Sequence, residues 1–155
     1  MHNKRMNINN TPDGNEGMLW ASYYAGKAIN LTGTTSAHAM CYSITMNCHT
    51  AHGHSVAACL SVIWEYMLKG NNKPLVKDVY DVFDEIGVLL GGKNAKEGLK
   101  FFNGILKEFD LAYPSTDMAN VPVFASKVNV SRLGNNPVEF NNEDVENIYK
   151  EVFSR

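Results

Sequence analysis

One stretch decides most of what this chain can fold into. In "HGHSVAACLSVIWEYMLKG" the residues from Val56 to Leu68 are apolar on nearly every side of a helix, and Gly70 follows where a helix commonly stops. A helix apolar all round belongs at the centre of a domain, so the remaining chain must wrap it. Elsewhere, apolar residues recur at i, i+3, i+4 and i+7, and no segment shows the period-two alternation of a strand. The expectation is an all-α fold, a bundle of about six or seven helices, far richer in helix than an average domain.

The wrapping helices can be placed one by one. A flexible, polar segment is expected over residues 1–14, and a helical domain over 15–155. "EGMLWASYYAGKAINLTG" predicts a mostly buried first helix, and Thr34, Thr35 or Ser36 can cap a second that runs to about Met46. A fourth is expected from Pro74 to Gly87, with Leu75, Val79, Val82, Phe83 and Ile86 on one face. Asn94 and Glu97, in capping-box spacing, open a fifth that carries Leu99, Phe102, Leu106 and Phe109. A short sixth is interrupted near Pro122, and Val145, Ile148, Tyr149 and Val152 mark the last.

The chain has 155 residues, 45% of them hydrophobic and 19% charged, enough for one domain with its own core. A formal charge of -2, without any window rich in Lys and Arg, argues against a nucleic-acid partner. There is no run of about eighteen apolar residues for a membrane span, and no apolar leader at the start. The expectation is a cytoplasmic protein whose three cysteines are reduced, with Cys41 and Cys59 as small buried apolar residues. Trp20 and Trp64 read as core. "GGK" at Gly91 to Lys93 is a loop and not a phosphate loop, since no strand precedes it and no Ser or Thr follows the lysine.

Four of the five histidines crowd into "TSAHAMCYSITMNCHTAHGHS". His38 and His52 stand fourteen positions apart on two different helices. If the second helix runs to Met46, its end lies roughly 12 Å past His38, and the five residues Asn47 to Ala51 can reach back up to about 16 Å. The two imidazoles can therefore meet as metal ligands. Gly53 permits close approach, and the positive end of the third helix keeps nearby imidazoles neutral, the form that binds metal. Two other readings stay open. His38 can be a hydrogen-bonded core histidine with His49, His52 and His54 on the surface, or Cys48, His49, His52 and His54 can form a compact zinc site, though four ligands within seven residues would crowd a tetrahedral ion. Tyr42, one turn after His38, shares its helical face, and by itself it reads first as a core tyrosine with its hydroxyl satisfied.

The His38 and His52-Gly53 pattern, with "AGKAINLTGTTSAHAMCYSIT" and "AHGHSVAACLSVIWEYM" around it, resembles the metal-binding region of the iron-containing (group III) alcohol dehydrogenases. These strings and the ending "SRLGNNPVEFNNEDVENIYKEVF" are most similar to the phosphonoacetaldehyde reductase branch, so the likeness covers nearly the whole chain. The resemblance implies the C-terminal helical domain of an oxidoreductase, with His38 and His52 as two of four ligands to a divalent metal. That metal is iron(II) in the family, and the ligand types also suit zinc, cobalt or nickel. It further implies a nucleotide-binding α/β domain that this chain lacks, so NAD(P) would be reached only through that missing half, and no residue here is assigned to the cofactor. The two remaining family ligands form an Asp-x-x-x-His motif that the chain does not contain. Where many members have a proton-relay histidine, this chain has Tyr42, leaving the Tyr42 hydroxyl or His54 as the catalytic candidate. The implied partners are a small aldehyde or alcohol substrate, an N-terminal half supplied in trans, and a second copy in a homo-oligomer. The implied product is a truncated, metal-binding part that is inactive alone; a helical binding or assembly module without redox activity is the alternative.

Overall fold

The computed structural model describes residues 10–155. The first nine residues of the segment expected to be flexible lie outside the described residues. Among the described residues the fold is all-α, and the only β pairing is an isolated antiparallel bridge between Pro74 and Val138.

The chain divides after Thr34 into two compact units. The first contains helix α1, Pro12–Thr32, so Pro12 to Gly14 are its first turn. Thr11 caps it by accepting from the Gly14 N–H at 3.2 Å, and Gly33, in left-handed backbone, closes it. The expected burial of this helix is not found. Gly14 is its only buried residue, while Leu19, Trp20, Tyr23, Tyr24 and Leu31 are exposed. Its apolar residues spread around every face, so no one stripe gathers them on a side that could be hidden. Trp20, expected in the core, instead packs on Tyr23 and Tyr24 at 5.8 and 6.0 Å.

The second unit follows its sequence pattern more closely. Helices α2, Ser36–Asn47, and α3, His52–Leu68, form a hairpin joined by a short turn in which His49 takes a left-handed φ of 52°. Next come α4, Val79–Leu89, α5, Ala95–Glu108, a 3₁₀ turn at Met118–Asn120, α6, Val121–Ser126, α7, Val130–Leu133, and α8, Asn142–Ser154. As expected for the central helix, α3 buries Ala58, Cys59, Val62, Ile63, Trp64 and Met67.

Two boundaries differ from expectation for local reasons. Helix α4 begins at Val79, not Pro74, because Asp78 turns left-handed with φ 56°, which no α-helix can pass through, while the Leu75 N–H pairs with the Pro137 carbonyl. It also passes through Gly87 rather than stopping there. A Cβ at Gly87 would strike the Asn94 carbonyl, and one at Gly98 would reach the Gly87 carbonyl carbon at 3.1 Å. These two glycines let the α4 and α5 backbones touch, so Gly87 serves packing and not termination. Near Pro122 the chain is not interrupted. The proline sits in the first turn of α6, where its missing N–H costs nothing.

Two ties hold α2 in place. From α8, the buried Tyr149 hydroxyl donates to the Met40 carbonyl at 2.7 Å, with its ring stacked on Phe153 and edge-on to Phe124. From the segment after α7, Asn136 bonds Ser36 at 2.6 Å, both side chains being buried. Such satisfied buried polar contacts specify one register where apolar packing alone would allow sliding. They flank the position from which His38 and Tyr42 project.

Candidate functional site

The α2–α3 hairpin returns His52 to His38. Their ring centroids lie 5.7 Å apart, tilted by 54°. Two imidazole nitrogens at about 2.1 Å from one tetrahedral ion would put the ring centres roughly 5.3 Å apart, so the spacing of the two rings is close to that of two ligands of one ion. Tyr42, one turn beyond His38, has its ring 5.6 Å from that of His52, and 43% of its surface is exposed. It is therefore not the core tyrosine that its spacing also permitted.

A fourth group, Cys41, sets which nitrogen of His52 is available. Its buried thiol donates to the His38 carbonyl at 3.3 Å, within its own helix, and its sulfur lies 3.6 Å from His52 Nδ1. With the S–H directed at a carbonyl, the sulfur can accept from Nδ1–H, and in that tautomer Nε2 of His52 carries the free lone pair. Burial pushes the Cys41 thiol up to about 11, so it stays neutral and does not compete as a thiolate ligand.

The electrostatics favour the metal-binding form of His38. Its pKa lies below the usual 6.5, first through burial and then through the basic neighbours His52 and Arg132. Arg132 reaches in from α7 and lays its guanidinium over the Tyr42 ring, 4.9 Å from the centroid. Neither Cys41 nor Arg132 stands out in the sequence as part of a site. Cys41 reads as core, and Arg132 belongs to a four-residue helix too short to leave a periodic signal.

The other candidates are placed elsewhere. His54 follows His52 by two positions and so projects from another side of α3, where its Nε2–H donates to the Ala112 carbonyl at 2.6 Å. His49 is exposed on the turn, and Cys48 is half-buried. Among the described residues no three His, Cys, Asp or Glu side chains are close enough to hold an ion, so Cys48, His49, His52 and His54 are not gathered into a compact zinc site. Trp64 is buried, as expected. No helix among the described residues is long and apolar enough to cross a membrane.

Residues 2–153 match the family model described as the C-terminal part of the Fe-containing alcohol dehydrogenase family. The phosphonoacetaldehyde reductase of Streptomyces viridochromogenes is 27% identical over 134 residues, covering 81% of this chain and 33% of that protein. Among solved structures, the alcohol dehydrogenase of an archaeal halo-thermophile from a Red Sea brine pool superposes with a TM-score of 0.78 at 22% identity, over 90% of this chain and 38% of that one. A point mutant of the same enzyme gives the same values. The chain thus spans about a third of the length of the curated relative that it matches.

Proposed function

Because the chain belongs to the iron-containing alcohol dehydrogenase family, as its C-terminal helical part, we propose that it forms the metal-side wall of an NAD(P)-linked alcohol dehydrogenase or aldehyde reductase. The likeness to a phosphonoacetaldehyde reductase supports that aldehyde as the substrate. The observation that carries the reading is the meeting of His38 and His52, with Cys41 holding His52 by Nδ1. In this proposal His38 and His52 supply two ligands through neutral imidazoles. A divalent metal bound there supplies Lewis-acid polarisation of a carbonyl oxygen, while hydride comes from a nicotinamide held by a part of the enzyme outside this chain.

Tyr42 stands beside His52 with an exposed ring, so its hydroxyl is the proton-relay candidate in this chain. His54 has one nitrogen committed to Ala112 and serves to fix the 110s segment against α3. With two ligands only, the isolated chain binds metal weakly and turns over no aldehyde. Iron(II) is the family's ion, and zinc or nickel should bind this pair more tightly by the general affinity order.

Calorimetric titration with zinc at about pH 7.5, above the ordinary imidazole pKa of about 6.5, tests the site. Binding of about micromolar strength or weaker is expected, lost in His38→Ala and in His52→Ala and kept in His49→Ala. Binding that survives His38→Ala but is lost in Cys48→Ala would overturn the assignment.

A further inference from the structure

Arg132 is a cation with no visible counter-charge. Its side chain is half-buried, it rests on the Tyr42 ring, and none of the ion pairs among the described residues includes it. The titratable neighbours through which it acts are basic or neutral: His38, His52, Tyr42 and Cys41. Among the described residues no carboxylate pairs with this guanidinium, and its titratable contacts leave its N–H fork open to an anion.

Its position is also built. Asn129 caps α7 by accepting from the Arg132 backbone N–H at 2.9 Å. Four residues after Arg132, the buried Asn136 bonds Ser36 at the start of α2 and the Val138 carbonyl, both at 2.6 Å. Ser36 precedes His38 by two positions, so the chain that carries Arg132 is fastened beside the residue that carries the first imidazole. Arg132 and His52 both lie against the Tyr42 ring, at 4.9 and 5.6 Å from its centroid.

We propose that Arg132 is a specificity-determining residue that receives the oxyanion of a short carbonyl substrate whose carbonyl end lies at His38 and His52. This rests on the dehydrogenase reading above. The guanidinium fork pairs with a phosphonate or carboxylate through two parallel N–H···O bonds, which a neutral aldehyde cannot offer. Tyr42, which touches both Arg132 and His52, then keeps the anion-binding end close to the reacting end of the substrate. The class selected is a small aldehyde or alcohol with a terminal oxyanion a short carbon chain away.

The test uses the purified full chain and two probes, ethylphosphonate and propionate, with 1-propanol as the neutral control. Nuclear magnetic resonance should show saturable shifts at the Arg132 Nε–H, the Tyr42 ring and the His38 and His52 rings for at least one anion, and none for the alcohol. The stronger of the two anions distinguishes phosphonate from carboxylate, and either supports the proposal. Arg132→Gln should weaken that binding roughly tenfold or more, and Arg132→Lys by less, because a lysine keeps the charge but loses the fork. Zinc titration of the same variants separates the two readings. If Arg132→Gln loses the anion and keeps zinc, both stand. If wild-type protein takes the anion at these residues but no zinc, the oxyanion site stands and the metal reading falls. If neither anion shifts these resonances, or if Arg132→Gln binds as well as wild type in a spectrum that shows it folded, Arg132 only buttresses Tyr42 and the proposal is overturned.

Discussion

Helix α3 carries a polar cluster near each end, and the two are solved in opposite ways. Toward its C-terminal half, Ser61 is completely buried and meets Asn103 and Tyr113, each at 2.7 Å. Above them Arg155 pairs with Glu65 and Glu151 and covers the Tyr113 ring. Burial opposes the Arg155 charge, but the bonds to Glu65, Tyr113 and Glu151 together raise its pKa. Donors, acceptors and charges match within the chain. At the N-terminal end, two imidazoles, a tyrosine and an arginine meet with only a neutral thiol among them. The first cluster is closed on itself, whereas the second leaves lone pairs and a cation unanswered, which is the contrast on which the proposed metal and oxyanion sites rest.

The largest way to break this comparison is at the closed end. Ser61→Ala leaves the buried side of Asn103 and Tyr113 without its partner, and should cost about 1–3 kcal/mol of unfolding free energy. Urea denaturation would measure it. Zinc titration of the same variant should be unchanged, since nothing at the open end is touched. A loss of zinc affinity would show that the clusters are one coupled network.

At the open end the sharpest probe is Cys41→Ala. It removes the acceptor that keeps the proton on His52 Nδ1, so zinc affinity should fall about tenfold, the lower range for losing a ligand's orienting partner. Cys59→Ala is the control, because Cys59 is equally buried but does not reach His52. Equal losses in the two variants would mean that core packing, and not the sulfur contact, is responsible.

This contrast explains what could be read in the sequence. The fold was legible where periodicity had length to act, as in α3 and in α8, whose Val145, Ile148, Tyr149 and Val152 are all buried. It failed where local backbone or a distant segment intervened, as when a left-handed Asp78 delayed α4, or when the α5 backbone turned Gly87 from a stop into a crossing point. It failed in α1 because an apolar composition does not say which faces another element covers. His38 and His52 were legible because a hairpin with a short turn can bring them together in only a few ways. Arg132 was not, because its place depends on the Asn136–Ser36 bond, formed across one hundred positions of sequence.

The smallest expected effect is also the finest measure of the open end. In the folded chain His38 titrates below its ordinary 6.5, chiefly from burial, then from His52, and last from Arg132. The unfolded chain therefore takes up the proton first as pH falls. His38 contributes stability that is fully present above about 6.5 and is lost as pH drops through its lower folded value. Arg132→Gln removes the weakest of the three causes. The His38 midpoint, followed by its Cε1–H resonance, should rise toward 6.5 without reaching it, because burial and His52 remain. The pH window over which this stability is lost should narrow accordingly. Glu65→Gln, made beside the paired Arg155, should leave the midpoint where it is, since that carboxylate is not among the groups that act on His38. If Arg132→Gln leaves the midpoint unmoved while Glu65→Gln shifts it, then the field at His38 comes from the closed cluster, and the division of α3 into a self-satisfied end and a ligand-seeking end is wrong.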